Sequence, residues 1–71
     1  MLKTGINIKT KRIKNGIKGY ELAEEMGVNG ARLSQIEAMA QVPEKSFIRC
    51  LEALNKIIAE KKHEEKLQKT I

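Results

Sequence analysis

The stretch GYELAEEMGVNGARLSQIE, residues 19–37, has the apolar spacing of two short helices joined by a tight turn. The apolar positions that share an inner face are Leu22, Ala23 and Met26 in the first segment and Leu33 and Ile36 in the second. Gly27 stands where the first helix must end, and Asn29 is a favourable N-cap for the second. The pattern predicts helices at about 19–26 and 30–38 that together form a helix-turn-helix.

A basic helix is predicted before this motif, from about residue 5 to residue 15. Thr4 can cap its start, and Asn15 followed by Gly16 is a stop signal. The expected apolar contacts of this helix are Ile8 and Ile13, with Ile6 or Ile17 beyond its ends.

After the motif, Pro43 is predicted to start a fourth helix that runs to about Leu54. Its expected inner stripe consists of Phe47, Ile48, Leu51 and Leu54. Residues 55–71 either continue this helix or form a fifth, because their charged run is rich in helix formers. No segment alternates as a strand would, so we expect residues 1–71 to form one all-α domain. It is expected to be a compact four- to five-helix bundle with its core in residues 5–54.

The net charge of +5 is unevenly distributed over the 71 residues. Residues 1–20 carry six basic residues and no acidic one, residues 21–54 carry six acids and three bases, and residues 55–71 carry five bases and three acids. Basic ends around an acidic middle suit a surface that faces phosphates. A solvated lysine-rich surface of the kind that many small proteins have explains the same composition.

Several classes of protein are disfavoured by the composition. The single cysteine, Cys50, cannot form an internal disulfide, and we expect it to be a small buried or half-buried apolar side chain in a cytoplasmic protein. No apolar run approaches the ~20 residues that span a membrane. His63 is the only histidine, and no catalytic triad, metal-ligand spacing or phosphate loop is present. We therefore expect neither an enzyme nor a bound cofactor.

The outer face of the helix at 30–38 is the candidate site, because the second helix of such a motif enters the major groove of DNA. Arginine can bind guanine and glutamine can bind adenine through paired hydrogen bonds, and a small apolar side chain can contact the thymine methyl group. The residues expected to contact bases are Asn29, Gly30, Ala31, Arg32 and Gln35. An ordinary solvated helix face is the alternative for Arg32 and Gln35.

Contacts to the DNA backbone are expected around the start of the helix at 19–26, where free amide groups attract an anion. The candidate residues there are Lys14, Lys18, Gly19 and Tyr20. Two further candidates are Ser34 on the second helix of the motif and Lys45 at the start of the fourth helix. A packing role fits Tyr20 equally well. Beneath this surface we expect Arg12 and Glu37 to form a partly buried ion pair that fixes the angle of the second helix of the motif.

Residues 8–28, IKTKRIKNGIKGYELAEEMGV, resemble the opening of lambdoid phage repressors, in which a basic first helix leads into Glu-Leu-Ala. The Gly27 turn, Ile36 followed by Glu37, and Pro43 also fall at the spacing of the lambda-repressor-like (Cro/CI, Xre-like) family. The resemblance covers about residues 8–54. It implies a four- or five-helix fold, readout of the major groove and dimeric binding to palindromic operators. It also implies a pair between the positions of Arg12 and Glu37, and base contacts at Ala31, Arg32 and Gln35.

Two places depart from the family pattern. Gly19 stands where the family usually has a glutamine that clamps a phosphate. The loop AMAQV, residues 38–42, is neither basic nor glycine-containing, so Met39 becomes a candidate for contact with a partner.

Two functions remain open from the sequence. The first is a Cro-like repressor from a phage, plasmid or other mobile element that binds double-stranded DNA as a homodimer. Its possible dimer surface comprises Leu54, Ile57, Ile58, Leu67 and Ile71. The alternative is an antitoxin that holds a toxin through the tail or the Met39 loop and represses its own operon. The tail is otherwise a solvated helix.

Overall fold

Four α-helices form the part of the chain that the structure describes. The computed structural model describes the backbone of residues 3–69 and the side chains of residues 3–62. The helices are α1 (Gly5–Lys14), α2 (Gly19–Met26), α3 (Gly30–Ala38) and α4 (Glu44–Lys69). Residues 3–69 contain no strand, so the predicted all-α fold is confirmed. The predicted bounds of α2 and α3 are also confirmed, α1 ends one residue early, and the tail continues α4 through residue 69.

The four helices pack in a cyclic order. α1 and α2 each pack extensively against both α3 and α4, which places α3 and α4 at opposite corners of the bundle. The largest fully buried side chains are those of Ile8, Leu22, Val42, Cys50 and Leu54. None of the described helices combines the length and the apolar character that crossing a membrane requires.

Left-handed glycines end both α1 and α2. Gly16 has φ +67° and Gly27 has φ +71°, a backbone conformation that only glycine adopts without steric cost. The Ile17 N–H then donates to the Arg12 carbonyl at 3.0 Å, and Val28 closes the second turn in the same way. These are the closing bonds of Schellman motifs, in which the residue after the glycine is usually apolar. Each turn therefore ends a helix and directs an apolar side chain towards the core.

The start of α1 lies directly on the end of α3. The Gly5 N–H donates to the Met39 carbonyl at 2.9 Å. Neither group has a partner within its own helix, because Gly5 starts α1 and Met39 directly follows α3. A Cβ atom on Gly5 would overlap two backbone carbonyl oxygens in the last turn of α3. The close approach of these two helices therefore requires glycine at this position.

The register of α4 against α2 is antiparallel. Arg49 Nη2 donates to the Met26 carbonyl at 3.1 Å, near the end of α2. At the start of α2, Lys61 Nζ lies 3.4 Å from a carboxylate oxygen of Glu21. The part of α4 from Asn55 to Lys61 is thus packed alongside α2.

Two isoleucines that were expected to face inward are exposed. The side chain of Ile13 is 59% exposed, and that of Ile48 is 45% exposed. On α1 the core contact is made by Ile8 alone, which is fully buried. On α4 the buried stripe passes through Cys50, which takes the inner position that the sequence analysis had assigned to Ile48.

The predicted dimer surface also needs correction. Leu54 is fully buried and Ile57 is only 7% exposed, because both belong to the core that α4 shares with its neighbours. Ile58 is partly buried and packs against that core. The side chain of Leu67 and the whole of Ile71 lie outside the described residues.

The loop between α3 and α4 does not present Met39 to a partner as expected. Met39 is partly buried and packs against the core, and its carbonyl accepts the hydrogen bond from Gly5. The antitoxin alternative therefore loses one of the two contact surfaces that the sequence had suggested.

Candidate nucleic-acid interface

The outer face of α3 is bare. Leu33 and Ile36 hold the helix to the core with 2% and 3% exposure. The side chains on the opposite face are all exposed, and they are Ala31, Arg32, Ser34 and Gln35, with Asn29 and Gly30 at the leading end. Within the described part of the chain, no hydrogen bond or ion pair engages the side chain of Arg32 or Gln35. Both are therefore available to an external acceptor or donor.

The leading end of α3 is fixed by its cap. Asn29 Oδ1 accepts the backbone N–H of Arg32 at 2.7 Å, as the sequence predicts for an N-cap. This bond uses the Asn29 side-chain oxygen and leaves its amide NH₂ group exposed. The Asn29 side chain can therefore donate a hydrogen bond to a base or a phosphate through its amide group. Its oxygen already accepts the hydrogen bond of the cap.

The partly buried ion pair predicted from the sequence holds the trailing end of α3. Arg12 Nε donates to Glu37 Oε2 at 2.7 Å, and Arg12 Nη2 donates to Glu37 Oε1 at 3.1 Å. The remaining Nη1 donates to the carbonyl of Ile17 at 3.0 Å. The two side chains are only 12% and 10% exposed. This two-point contact ties α3 to the end of α1 and to the turn before α2, which limits rotation of α3 about its axis.

Cys50 is a core residue close to this pair. Burial raises the pKa of its thiol, and the negative charge of Glu37 raises it further. The thiol therefore stays neutral near pH 7, and its 0% exposure fits the structural role that the sequence suggests.

The start of α2 presents unpaired backbone donors beside two exposed side chains. The amides of Gly19 and Tyr20 lie in the first turn, where a helix offers them no acceptor. Tyr20 is 61% exposed, which removes the alternative of a core-packing role. Lys18 Nζ lies 6.0 Å from the centre of the Tyr20 ring.

The first turn of α2 also carries its own capping carboxylate. The Lys18 N–H donates to Glu21 Oε1 at 3.0 Å, and this hydrogen bond is the main reason that the pKa of Glu21 is lowered, with Lys61 adding to the effect. Because the folded-state pKa is the lower one, this contact stabilises the fold above pH 4.5 and the stabilisation is lost in more acidic solution.

Gly19 lies close to the ion pair. A Cβ atom on Gly19 would lie 3.9 Å from the Arg12 guanidinium, an ordinary van der Waals contact. The pair thus connects the first turn of α2 with the last turn of α3, the two elements on which base and backbone contacts were predicted.

The other predicted backbone contacts are spread over the molecule. Ser34 is exposed on α3, and Lys45 is exposed in the first turn of α4. Lys14 lines a groove between α1 and α4 instead, together with Lys11. The structure therefore groups Lys18, Gly19 and Tyr20 but gives Lys14 different surroundings.

The α2–α4 side of the molecule is acidic. A depression there is lined by Glu21, Glu24, Glu25 and Glu60 around Ile57. Two of these glutamates are paired with lysines of α4, since Lys56 Nζ lies 3.3 Å from Glu25 Oε2 and Lys61 Nζ lies 3.4 Å from Glu21 Oε2. Among the described side chains, no group of three or more His, Cys, Asp or Glu residues is placed to hold a metal ion.

The chain matches no protein-family model, no curated protein and no solved structure. A functional assignment therefore rests on the residues and the geometry described above.

Proposed function

We propose that this protein is a sequence-specific DNA-binding regulator of the Cro/CI type that inserts α3 into the major groove. One observation carries the proposal. The polar face of α3 is exposed with Arg32 and Gln35 unengaged, while its apolar face and the Arg12–Glu37 pair hold the helix in place. A short helix held this way can present side chains to base edges with little loss of conformational entropy on binding.

The surroundings of α3 suggest how the DNA backbone is held. The first turn of α2 offers amide groups, the Lys18 ammonium group and the exposed Tyr20 hydroxyl to a phosphate. Ser34 on α3 and Lys45 on α4 extend the set of candidates. Glu21 lies in the same first turn of α2, but its carboxylate is engaged by the Lys18 N–H and by Lys61, which limits its repulsion of a phosphate.

We further propose that two copies occupy the two half-sites of a palindromic operator in the cytoplasm. A single domain of this size contacts few phosphates, so tight binding needs a second copy about one helical turn away. Leu54 and Ile57 cannot supply the dimer contact because they are buried in each monomer.

Selection of bound duplexes from a random pool tests the proposal. We expect enrichment of a palindromic sequence with two half-sites, and a bound complex that contains two protein chains. Binding that depends on salt but enriches no sequence would contradict a role in specific regulation.

Replacing Arg32 or Gln35 with alanine is expected to relax the preference at one base pair in each half-site. Loss of one two-point base contact costs roughly 1–3 kcal/mol for the preferred base, and affinity for random DNA changes less. Competition binding against single-base variants of the selected site measures this effect. Gln41→Ala is the matched control for Gln35→Ala, because Gln41 is exposed in the loop before α4. If Arg32→Ala kept the unchanged protein's ratio of affinity for the selected site to affinity for random DNA, the assignment of α3 to base recognition would be wrong.

Replacing Lys18 with alanine is expected to weaken binding to every duplex by a similar factor. One fewer phosphate contact should also reduce the slope of log affinity against log salt by about one. Titrations at several salt concentrations measure the slope. Lys9→Ala serves as the control, since Lys9 is exposed on α1 outside the proposed interface. Equal losses in the two variants would show that only the net charge matters.

A further inference from the structure

We propose that the groove between α1 and α4 binds an acidic amphipathic helix of a partner protein. This groove, termed the α1–α4 groove, has a volume of about 310 Å³. Its walls and floor are formed by Asn7, Thr10, Lys11 and Lys14 of α1 and by Phe47 and Leu51 of α4. The inference concerns a surface separate from the proposed DNA interface.

Leu51 in the floor of the groove belongs to a second apolar stripe on α4, whereas Phe47 belongs to the core. Ile48 extends this stripe on the exposed surface beside the groove and does not line it. Ile48, Leu51 and Ile58, with Asn55 between the last two, follow one another at intervals of three or four residues and so share a helix face. The core uses a different stripe of α4, which includes Cys50 and Leu54. Ile48 is therefore left 45% exposed, and Leu51 and Ile58 are only partly buried. Apolar side chains aligned in this way favour contact with an apolar stripe on another helix.

The groove continues along α4 into a second depression. Lys11 Nζ donates to Asn55 Oδ1 at 3.1 Å, which bridges α1 and α4 at the boundary. Beyond this bridge, Ile58 lines the second depression together with Asn15, Lys61 and Lys62. An extended occupant could therefore contact both Leu51 and Ile58.

The charge along this path has one sign. Among residues 3–62, whose side chains the structure describes, every ionisable side chain that lines the two depressions is a lysine: Lys11, Lys14, Lys61 or Lys62. Lys61 is already paired with Glu21, and Lys11 is bonded only to the neutral Asn55. Lys11, Lys14 and Lys62 thus give the groove a positive potential that no carboxylate among its described lining residues offsets. The depression between α2 and α4, on another side of α4, is lined by glutamates instead.

The combination of an apolar floor and a cationic rim favours one kind of occupant. A nucleic-acid backbone would satisfy the lysines but leave the apolar stripe uncovered. A second copy paired through this groove about a two-fold axis would bring one lysine wall towards another. A helix with an apolar stripe flanked by glutamate or aspartate complements both features.

The location of the groove allows the partner and DNA to bind together. No described residue that lines the groove belongs to α3 or to the first turn of α2, although the α1 wall of the groove packs against α3 on its other side. We therefore expect a bound partner helix to leave the outer face of α3 accessible.

Binding of two synthetic helical peptides tests the inference without DNA. The peptides have the same length and the same leucine stripe, and only the flanking residues differ, being glutamate in one and lysine in the other. Fluorescence anisotropy is expected to show binding of the glutamate peptide and none of the lysine peptide. The double variant Lys14→Glu, Lys62→Glu should lose about tenfold in affinity for the glutamate peptide, and Ile48→Gln should also weaken it.

Two matched controls and an independent readout complete the experiment. Lys9→Glu and Ile6→Gln change exposed residues of the same types on α1 that do not line the groove, and both should bind as the unchanged protein does. Circular dichroism checks that every variant is folded. Equal binding of the two peptides, or equal losses in groove and control variants, would overturn the inference. A self-associated protein that Ile48→Gln converts to monomers would overturn it in favour of a second copy. Because the assay contains no DNA, failure of the proposed function would not affect its result.

Discussion

Replacing Glu37 with alanine is expected to lower the free energy of unfolding by about 3–5 kcal/mol. Domains of this size are stabilised by roughly 4–10 kcal/mol in total, so the loss is a large share of the free energy of unfolding. The cost arises because Arg12, only 12% exposed, would keep its charge while losing both hydrogen bonds to the carboxylate. Only its bond to the Ile17 carbonyl would remain. Urea unfolding followed by circular dichroism measures the change.

An exposed ion pair provides the control for this prediction. Lys3 Nζ lies 3.0 Å from a carboxylate oxygen of Glu44, with the two side chains 45% and 68% exposed. Glu44→Ala should cost no more than about 1 kcal/mol, because solvent screens an exposed pair. The double replacement Arg12→Met, Glu37→Leu should recover most of the stability, since it removes both buried charges. Similar losses in Glu37→Ala and Glu44→Ala would contradict the importance of the buried pair.

Replacing Gly5 with alanine is expected to destabilise the fold by about 3 kcal/mol or more. The new Cβ would overlap backbone carbonyl oxygens of Ile36 and Glu37, which cannot move aside as a flexible side chain could. α1 would have to shift away from α3 and weaken the hydrogen bond from Gly5 to Met39. Thermal unfolding of the variant measures the loss.

Gly30→Ala is the matched control for the Gly5 variant. Both glycines occupy the first position of a helix, but a Cβ on Gly30 would meet no atom within 4 Å. The control should be neutral or slightly more stable, because alanine lowers the entropy of the unfolded chain. If the two variants had the same stability, the contact between α1 and α3 would be looser than the structure shows.

The helix-turn-helix was predictable from the sequence because local signals define its boundaries. Asn29 caps α3 and Gly27 adopts the left-handed conformation that ends α2, so each boundary depends on one or two neighbouring residues. The inner faces of both helices followed from apolar spacing alone. Once the apolar residues of α3 were assigned to the core, the remaining residues were predicted to form its exposed face, and the structure leaves that face uncovered.

The orientation of α1 and α4 was harder to predict because each has apolar residues on more than one face. On α4, Ile48 and Cys50 compete for the inner position, and hydropathy favours the isoleucine although the structure buries the cysteine. The position of Ile57 in the sequence is compatible both with an exposed apolar face that forms a dimer and with the apolar face that packs in the core. The sequence could not separate these roles, because the choice depends on how α4 packs against α2.

The contact at Gly5 had no distinguishing signal in the sequence. A glycine near a helix start is common, and the need for it here comes from backbone atoms of α3 more than thirty residues away along the chain. The α1–α4 groove was missed for a similar reason. Lys14 was assigned to the DNA backbone because it is basic and precedes the start of α2 in the sequence, whereas the structure places it beside Phe47 and Leu51.

The most direct test of the central claim is an NMR titration of isotope-labelled protein with the selected duplex. If α3 reads DNA, the largest changes in backbone amide shifts will map to residues 29–35, with a second group at residues 18–20. Shifts confined to the α1–α4 groove, with residues 29–35 unchanged, would contradict the assignment of α3 as the DNA-reading helix.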